Sequence, residues 1–521
     1  MCPREDFLLL AVGSERSGPS EDAPAGIAFR RLLNEAVRLN RCIRAEAGGL
    51  LFFVKVSTSV KQGGLFAIGA AILTSALYGF GDGGSDGVLD RQLSARLQAH
   101  RFTGRVQDGL ERRLGRKVDA KLAEIGRMLW FDTIGGLNDD NACGGCHSPT
   151  AGFADTQSIA IGIESNEVVG PSRRGPRNQR RSPMVLNAAF YPRLMLNSRF
   201  SSNADDPFDN RRGFTFPLPE GTSLSRQPHL LTAQAFIPFT ERTEAAGFAV
   251  PGTNDDLRAA VAARLNRSKA YRDLFEHVYR EVKNGRPITF DMAAAALSEF
   301  EFTLVFVDAP LDRFARGQVE AMTPAMKRGA VLFFEKAKCV SCHGVGGASN
   351  EMFSDFTPRV AGTPQIMPAN VNVAFDGPAG NEDFGLEQVT GNPADRYKFR
   401  SSPLRNLALQ PTYFHNGAFT SLDVAIRYHL DPKTNGPLYS PRSLASDLRG
   451  PTGPIAPVLA RLDPLLANPP RLTEPEIRDL VEFVRYGLLD ENASLKRLTR
   501  LIPNEVPSGR KTLRFENVDR P

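Results

Sequence analysis

Ala142-Cys143-Gly144-Gly145-Cys146-His147 and Lys338-Cys339-Val340-Ser341-Cys342-His343 decide how the rest of this chain is read. Both are Cys-x-x-Cys-His, the attachment signature of c-type haem. The spacing has a chemical reason. One turn of backbone carries two thiols to the two vinyl groups of one porphyrin, and the adjacent histidine can then give its imidazole to the iron from the same side. A dithiol redox site or half of a zinc site also uses Cys-x-x-Cys. The first does not need the histidine, and the second wants a matching pair nearby. Two covalently bound haem groups are therefore expected, one on Cys143, Cys146 and His147, the other on Cys339, Cys342 and His343.

Each motif follows a similar apolar helix. Val118 to Asp132 (VDAKLAEIGRMLWFD) has apolar residues at helical spacing. Thr323 to Glu335 (TPAMKRGAVLFFE) opens with Thr-Pro, an N-cap followed by a proline in the first turn. Gly126, Leu129, Trp130 and Phe131 match Gly329, Leu332, Phe333 and Phe334 in order and spacing. This internal repeat indicates two domains built alike. Between the motifs, Leu257 to Tyr279 and Phe290 to Val307 read as amphipathic helices. Residues Glu351 to Asn392 are loop-rich, and helices resume at Leu422 to His429 and Glu474 to Leu488, the latter capped by Thr473 with Glu476 three positions on. Strand signals are few and short. The chain is expected to be mainly α with long loops: a first domain over 118–310, a second over 311–490, a linker over 82–117 and a C-terminal tail over 491–521.

With 521 residues the chain has room for two or three domains. The mild excess of base, +6, lies partly in the run Arg173 to Arg181. No aromatic interleaving or recognition helix accompanies that run, so nucleic acid is not expected as a partner; the arginines read as a solvated loop or as partners of haem propionates. Four of six cysteines belong to the motifs, leaving Cys2 and Cys42. Bacterial haem attachment takes place outside the cytoplasmic membrane, so an export signal is expected. The stretch 50–81 contains one, Gly63 to Phe80 (GGLFAIGAAILTSALYGF), preceded by Lys55 and Lys61; it reads as a signal sequence or a short membrane anchor. Residues 1–49 form a polar, arginine-containing extension from which no function is expected. The expected location is the periplasm, or a membrane anchorage facing it.

The landmarks GRMLWFD, ACGGCH, GFAD, SPMVLNAAF, QAFIPF, FEFTLVFVDAPLDRF, CVSCHG, DRYKFRSSPLRNLAL, PTYFHNGAFTSLDVAIRYH and LTEPEIRDLVEFV, in this order from about Val118 to Leu489, resemble the bacterial di-haem cytochrome c peroxidases and their MauG-type relatives. The resemblance implies two cytochrome-c-like helical domains with one haem each, one receiving electrons and the other meeting hydrogen peroxide. The first haem is then the peroxidatic one, with His147 as its proximal ligand. Where typical members carry a histidine that blocks the sixth position, this chain reads Ser158-Ile159-Ala160-Ile161-Gly162-Ile163-Glu164, and Cys143 to Phe190 contains no histidine but His147. An open iron is implied. Glu244, six residues after Pro238, matches the family's catalytic glutamate, and Gln234 matches a hydrogen-bonder of the distal pocket. Read from residues alone, Glu241, Arg242 and Glu244 would be an exposed charged loop.

At the second haem the position of the sixth ligand falls on His429, with Tyr428 before it; Tyr428, Met352 or Met367 is the alternative, and His429 also reads simply as a histidine at a helix C-terminus. A thioether there favours the reduced iron, so an imidazole should lower the potential. His415 belongs to the family loop near this haem as a structural hydrogen-bonder. The family's tryptophan between the haems aligns with Leu196 here, which cannot relay an electron by being oxidised. An insertion between Phe200 and Leu230 reads as a lid or docking loop. Calcium between the domains is implied through Asn187 and carbonyls near Ser401, carbonyls that leave no side-chain signature; a homodimer is implied too.

Three functions are thereby set against one another. The first is a peroxidase reducing hydrogen peroxide to water with electrons from a small cytochrome c or a cupredoxin. The second is a MauG-like oxidase of aromatic residues in a protein substrate. The third is a di-haem carrier or sensor without turnover, against which Glu244 and the open iron argue.

Overall fold

Two glycines at matching places in the repeat set the architecture. In the computed structural model the helix Ala120–Phe131 crosses the helix Phe290–Thr303, and the helix Pro324–Phe334 crosses the helix Glu474–Glu482. A Cβ on Gly126 would stand 1.9 Å from the Ala296 carbonyl oxygen and 3.0 Å from Phe300 Cβ. On Gly329 it would stand 1.9 Å from the Asp479 carbonyl oxygen and 2.7 Å from Phe483 Cβ. Ala296 and Phe300 are one helical turn apart, as are Asp479 and Phe483, so the same close crossing is built twice. Backbones approach this closely only where a side chain is missing. Gly329→Ala is expected to destabilise the holoprotein by about 1–3 kcal/mol, the usual penalty of overpacking. It should appear as an earlier denaturation midpoint at unchanged slope, and a wild-type midpoint would show that the crossing relaxes freely.

The structure describes residues 9–11, 43–47, 50–54, 85–220 and 224–518. It divides into two units, Met1–Gly84 and Ser85–Pro521. In the first, Leu9–Ala11 pairs in parallel with Ile43–Ala47, which pairs antiparallel with Leu50–Val54. The expected signal or anchor, Gly63 to Phe80, lies outside the described residues, as do Cys2, Cys42 and most of the polar extension. No described helix is long and apolar enough to cross a membrane.

The second unit is mainly helical, with strands of two or three residues. Its apolar side chains gather in two large cores. One holds Trp130, Phe131, Phe153, Leu231, Leu297 and Phe300 around the first motif. The other holds Phe333, Phe334, Phe353, Phe419, Tyr428 and Phe483 around the second. Thr323 and Thr473 cap their helices as their sequences suggest, Thr473 in a full capping box with Glu476.

Two flanking segments take places that the sequence left unassigned. The stretch read as a linker, 82–117, carries the helix Ser85–Ala99, whose Leu93 and Leu97 are buried in the second core; Asp90 also pairs with Lys327 at 2.5 Å. That helix is polar on most of its length, and two leucines suffice to dock it. The tail, 491–521, returns to the first core. Arg514–Phe515 pairs with Val168–Val169, and Phe515 meets Phe131 edge to face at 5.8 Å. The region Phe200 to Leu230 contributes Phe200–Ser202 and Phe214–Thr215 to a small antiparallel sheet whose third strand, Arg193–Leu194, precedes it. Its Leu218 is 91% exposed.

Candidate functional site

Cys143–Cys146 is a single helical turn closed by the His147 amide donating to the Cys143 carbonyl at 2.8 Å. Cys339–Ser341 is a 3-10 turn closed in the same way, by His343 to Cys339 at 2.8 Å. None of these four cysteines is in a disulfide. Burial pushes the thiols of Cys143, Cys146 and Cys339 up, to about 12, 11 and 12. The first turn opens on a cavity of about 280 Å³ lined by Cys143, Cys146, His147, Leu129 and Trp130. Trp130 Nε1 donates to the His147 carbonyl at 3.3 Å and so braces the motif against its own helix. Burial lowers the His147 pKa to about 4; the carbonyls of Pro183 and Phe153 draw it the other way without closing a full hydrogen bond to Nδ1. The imidazole is therefore neutral, the form that binds a metal. His147 is the only histidine among the described residues lining the cavity.

Gln234 and Glu244 line the same cavity. Gln234 ends the helix Leu230–Gln234, and Glu244 lies in the π-helical turn Arg242–Ala246. The charged-loop reading of this turn does not hold. Burial, then the neighbouring charge of Glu241, raises the Glu244 carboxyl to about 7, and Arg199 works against both. Arg199 pairs with Glu241 at 2.9 Å. The Ile163 amide donates to the Thr243 carbonyl at 3.2 Å, so the histidine-free stretch packs directly on this turn. A further carboxyl in the cavity, Glu301, was not singled out from the sequence. It lies in a helix read only as amphipathic, and no spacing marked it.

The arginine run is not a solvated loop: Arg173, Arg177 and Arg181 are all buried. Arg173 is satisfied by Ile161, Val168 and Gly162 carbonyls and by Asn141, and Arg177 pairs with Asp447. Arg181 differs, and so does Arg400. Both line the cavity, and Arg181 Nη1 and Arg400 Nε have no partner among the described residues. Burial pushes both guanidinium pKa values down, to about 10. A buried cation without a counter-charge is costly, and carboxylates such as haem propionates would satisfy these nitrogens. The cavity, its thiols, its neutral imidazole and these two arginines fit a haem.

At the second motif, His343 Nδ1 lies 3.1 Å from both the Phe353 and Ser402 carbonyls. Its proton must sit on Nδ1, leaving Nε2 free for a metal. The His429 ring centroid is 6.2 Å from that of His343. Two metal–imidazole bonds of about 2 Å each, with about 1.1 Å from nitrogen to ring centre, give about 6.3 Å for imidazoles on opposite sides of one metal. Burial and then His343 hold the His429 pKa down, at about 4. Among the alternatives, Tyr428 donates its hydroxyl to the Gly362 carbonyl, and Met352 is packed in the first core.

A second repeat follows each motif. Asn187 and Asn406 both take left-handed backbone, at φ 65° and 59°, and each precedes a 3-10 turn, Ala188–Phe190 and Leu407–Leu409. Their side-chain amides converge on the Phe306 carbonyl, at 3.0 and 2.9 Å. Asn187 Oδ1 also accepts from the Phe306 amide at 2.7 Å, so this asparagine clasps the backbone at Phe306. No group of three His, Cys, Asp or Glu that could hold a metal ion occurs among the described residues. In the same register, Leu196 occupies the place of His415. The Arg400 amide donates to the Leu196 carbonyl at 2.8 Å, and the Arg181 amide to the His415 carbonyl at 3.0 Å. His415 is buried, with its Nε2 3.8 Å from Asp383 Oδ2. Its ring stacks on Phe399 at 3.5 Å, and Nε2 has no hydrogen-bond partner among the described residues.

Residues 120–320 match the sequence profile of the family described as di-haem cytochrome c peroxidase. The chain is 26% identical over 312 residues to the cytochrome c551 peroxidase of Pseudomonas aeruginosa, covering 60% of this chain and 72% of that protein. It is 28% identical over 345 residues to the methylamine utilization protein MauG of Paracoccus denitrificans, covering 63% and 81%. Among solved structures, a MauG-like protein associated with microbial copper homeostasis shares the fold, with a TM-score of 0.51 at 23% identity over 72% of this chain and 91% of that one.

Proposed function

We propose that this protein, whose residues 120–320 match the di-haem cytochrome c peroxidase family, reduces hydrogen peroxide to water in the cavity of the first motif, with electrons received through the second. One observation carries the reading: Glu244 and Gln234 share a cavity with Cys143, Cys146 and His147, and no second histidine among the described residues lines it. Two haem c groups, when bound, would supply the iron that takes the peroxide and a store for two electrons. His147 would hold the first; His343 and His429 would hold the second. Arg181 and Arg400 would meet carboxylates of the cofactors.

Glu244 then does the proton work. As carboxylate it accepts the proton of one peroxide oxygen and returns it to the other, so that the O–O bond breaks towards water. The Gln234 amide donates to the bound peroxide and orients it. Arg199, holding Glu241 at 2.9 Å, keeps the neighbouring charge from closing on Glu244.

The MauG-like reading needs a route for oxidising equivalents between the two sites. Leu196 offers no oxidisable ring. Tyr191, which lines the cavity and lies 5.3 Å from Phe356, gives its hydroxyl to the Leu186 carbonyl and lies under the Arg400 guanidinium at 5.5 Å. A carbonyl is a poor base and a cation over the ring opposes loss of an electron, which supports the peroxidase reading. A periplasmic location, a small cytochrome c or cupredoxin as donor, and a homodimer belong to the same proposal.

The first test is an EPR spectrum of the fully oxidised holoprotein. One high-spin and one low-spin ferric signal are expected. Two low-spin signals would mean that some other side chain, with Met184 and Met195 already in the cavity wall, closes the first iron, and access without prior reduction would be refuted.

A further inference from the structure

Glu301 is a carboxyl that the mechanism above leaves unused. It lies near the end of the helix Phe290–Thr303, 4% exposed, and its Oε2 has no hydrogen-bond partner among the described residues. Leu297, one turn earlier, lines the cavity of the first motif together with Glu301, so one face of this helix is turned to that cavity. The helix Leu230–Gln234 packs on it through Thr232 Oγ1 and Ser298 Oγ, 3.0 Å apart, and contributes Leu231 and Gln234 to the same wall. Glu301 and Gln234 thus enter the cavity from two helices in contact.

A buried polar atom with no partner is rare and costly. The repeat shows that the fold does not require this one. Asp479 and Phe483 stand at the second crossing where Ala296 and Phe300 stand at the first, which puts Val484 in the place of Glu301. Val484 is buried in the second core like any apolar side chain. The first domain therefore carries a carboxyl where its twin is served by a methyl-bearing residue. Burial alone lifts the Glu301 pKa to about 8; its charge in turn raises the pKa of the Cys143 thiol, a group that haem attachment would convert to a thioether.

We propose that Glu301 is a proton-supplying residue for the reduction in the cavity of the first motif, an inference that rests on the peroxidase reading. Turning hydrogen peroxide into two waters consumes two electrons and two protons. Glu244, moving the peroxide's own proton from one oxygen to the other, adds neither. Glu301 gives its O–H proton to the oxygen being reduced as the first electron arrives, is left as a carboxylate, is reprotonated from solvent, and gives the second proton with the second electron; solvent restores it again before the next turnover.

The test uses holoprotein, wild type against Glu301→Gln and Glu301→Asp, reduced and mixed with hydrogen peroxide in a stopped-flow spectrophotometer. Glu301→Gln is expected to keep the fast first absorbance change within about twofold, as the proton transfer there belongs to Glu244, and to slow the return to the resting spectrum at least about tenfold. Glu301→Asp should recover part of that rate. Independently of peroxide, the reduced-minus-oxidised infrared difference spectrum should contain the C=O band of a neutral carboxylic acid that Glu301→Gln removes. A wild-type return rate in Glu301→Gln, equal slowing of both changes, or an unaltered infrared band would each overturn the assignment. A wild-type protein with no fast change at all would refute the peroxidase reading, and the supply of a proton to peroxide with it; the infrared band would still report whether Glu301 exchanges a proton with the oxidation state.

Discussion

Replacing Glu244 with glutamine is expected to slow the reaction of the holoprotein with hydrogen peroxide by about 10²–10⁴-fold, the span usual for loss of a general acid–base group. The amide keeps the shape and can still donate a hydrogen bond, but it cannot accept and return a proton. Both EPR signals should stay as in the wild type, because Glu244 is placed near the reacting oxygen and not on either iron. The pH profile gives a second, sharper readout. Burial and the charge of Glu241 raise the Glu244 carboxyl to about 7. Below that pH the group is protonated and cannot accept the peroxide proton; above it the carboxylate is ready. The wild-type rate should therefore climb as the pH rises through about 7 and then level off, and Glu244→Gln should be flat across the same range. Glu241→Gln removes a like charge, which lowers the Glu244 pKa and moves the climb to more acid pH. A Glu244→Gln protein with the wild-type rate and profile would remove Glu244 from the mechanism and return the turn Arg242–Ala246 to a merely structural role.

The parts of this molecule that were legible in its sequence are those fixed by local spacing. Cys-x-x-Cys-His twice, and Gly126 matched by Gly329, needed no knowledge of what lies opposite; the close crossings at those glycines are the reason the repeat kept them. Glu244 and Gln234 were reached through resemblance, and their appearance in one cavity with His147 depends on the packing of the stretch Ser158 to Glu164 against the turn of Glu244. What stayed hidden depends on partners distant in sequence. Arg181 and Arg173 sit in one polar run, and only the fold separates the arginine satisfied by carbonyls from the arginine left with a free nitrogen. Ser85–Ala99 carries too few apolar residues to announce a core helix, yet Leu93 and Leu97 are enough once the surface of Pro324–Phe334 is there to receive them. Glu301 was concealed by company: ten other residues of its helix are buried, and a carboxyl among them has no periodic signal of its own.

Replacing His429 with methionine is expected to raise the potential of the second haem by roughly 0.1–0.3 V, inside the ~0.8 V over which axial ligands act. A thioether favours the reduced iron more than an imidazole does, and the methionine side chain is long enough to reach the same place from the helix Leu422–Leu430. The 6.2 Å between the His343 and His429 ring centres leaves room for one metal between two imidazoles and little more. His429→Ala should accordingly turn the low-spin ferric signal of the second haem into a high-spin one, while the first haem keeps its own high-spin signal. Tyr428→Phe is the control. The Tyr428 hydroxyl is already given to the Gly362 carbonyl, so its loss should leave both the potential and the spin state unchanged. A low-spin signal that survives His429→Ala would transfer the ligand to another side chain, and a shift on Tyr428→Phe would make that side chain the tyrosine. The consequence for function follows from the potential itself. An imidazole at this place would keep the second haem low in potential, strengthening its drive to pass electrons to the first and restricting its donors to proteins reducing enough to fill it; His429→Met should therefore slow electron transfer between the haems and, at the same time, let weaker reductants load the protein.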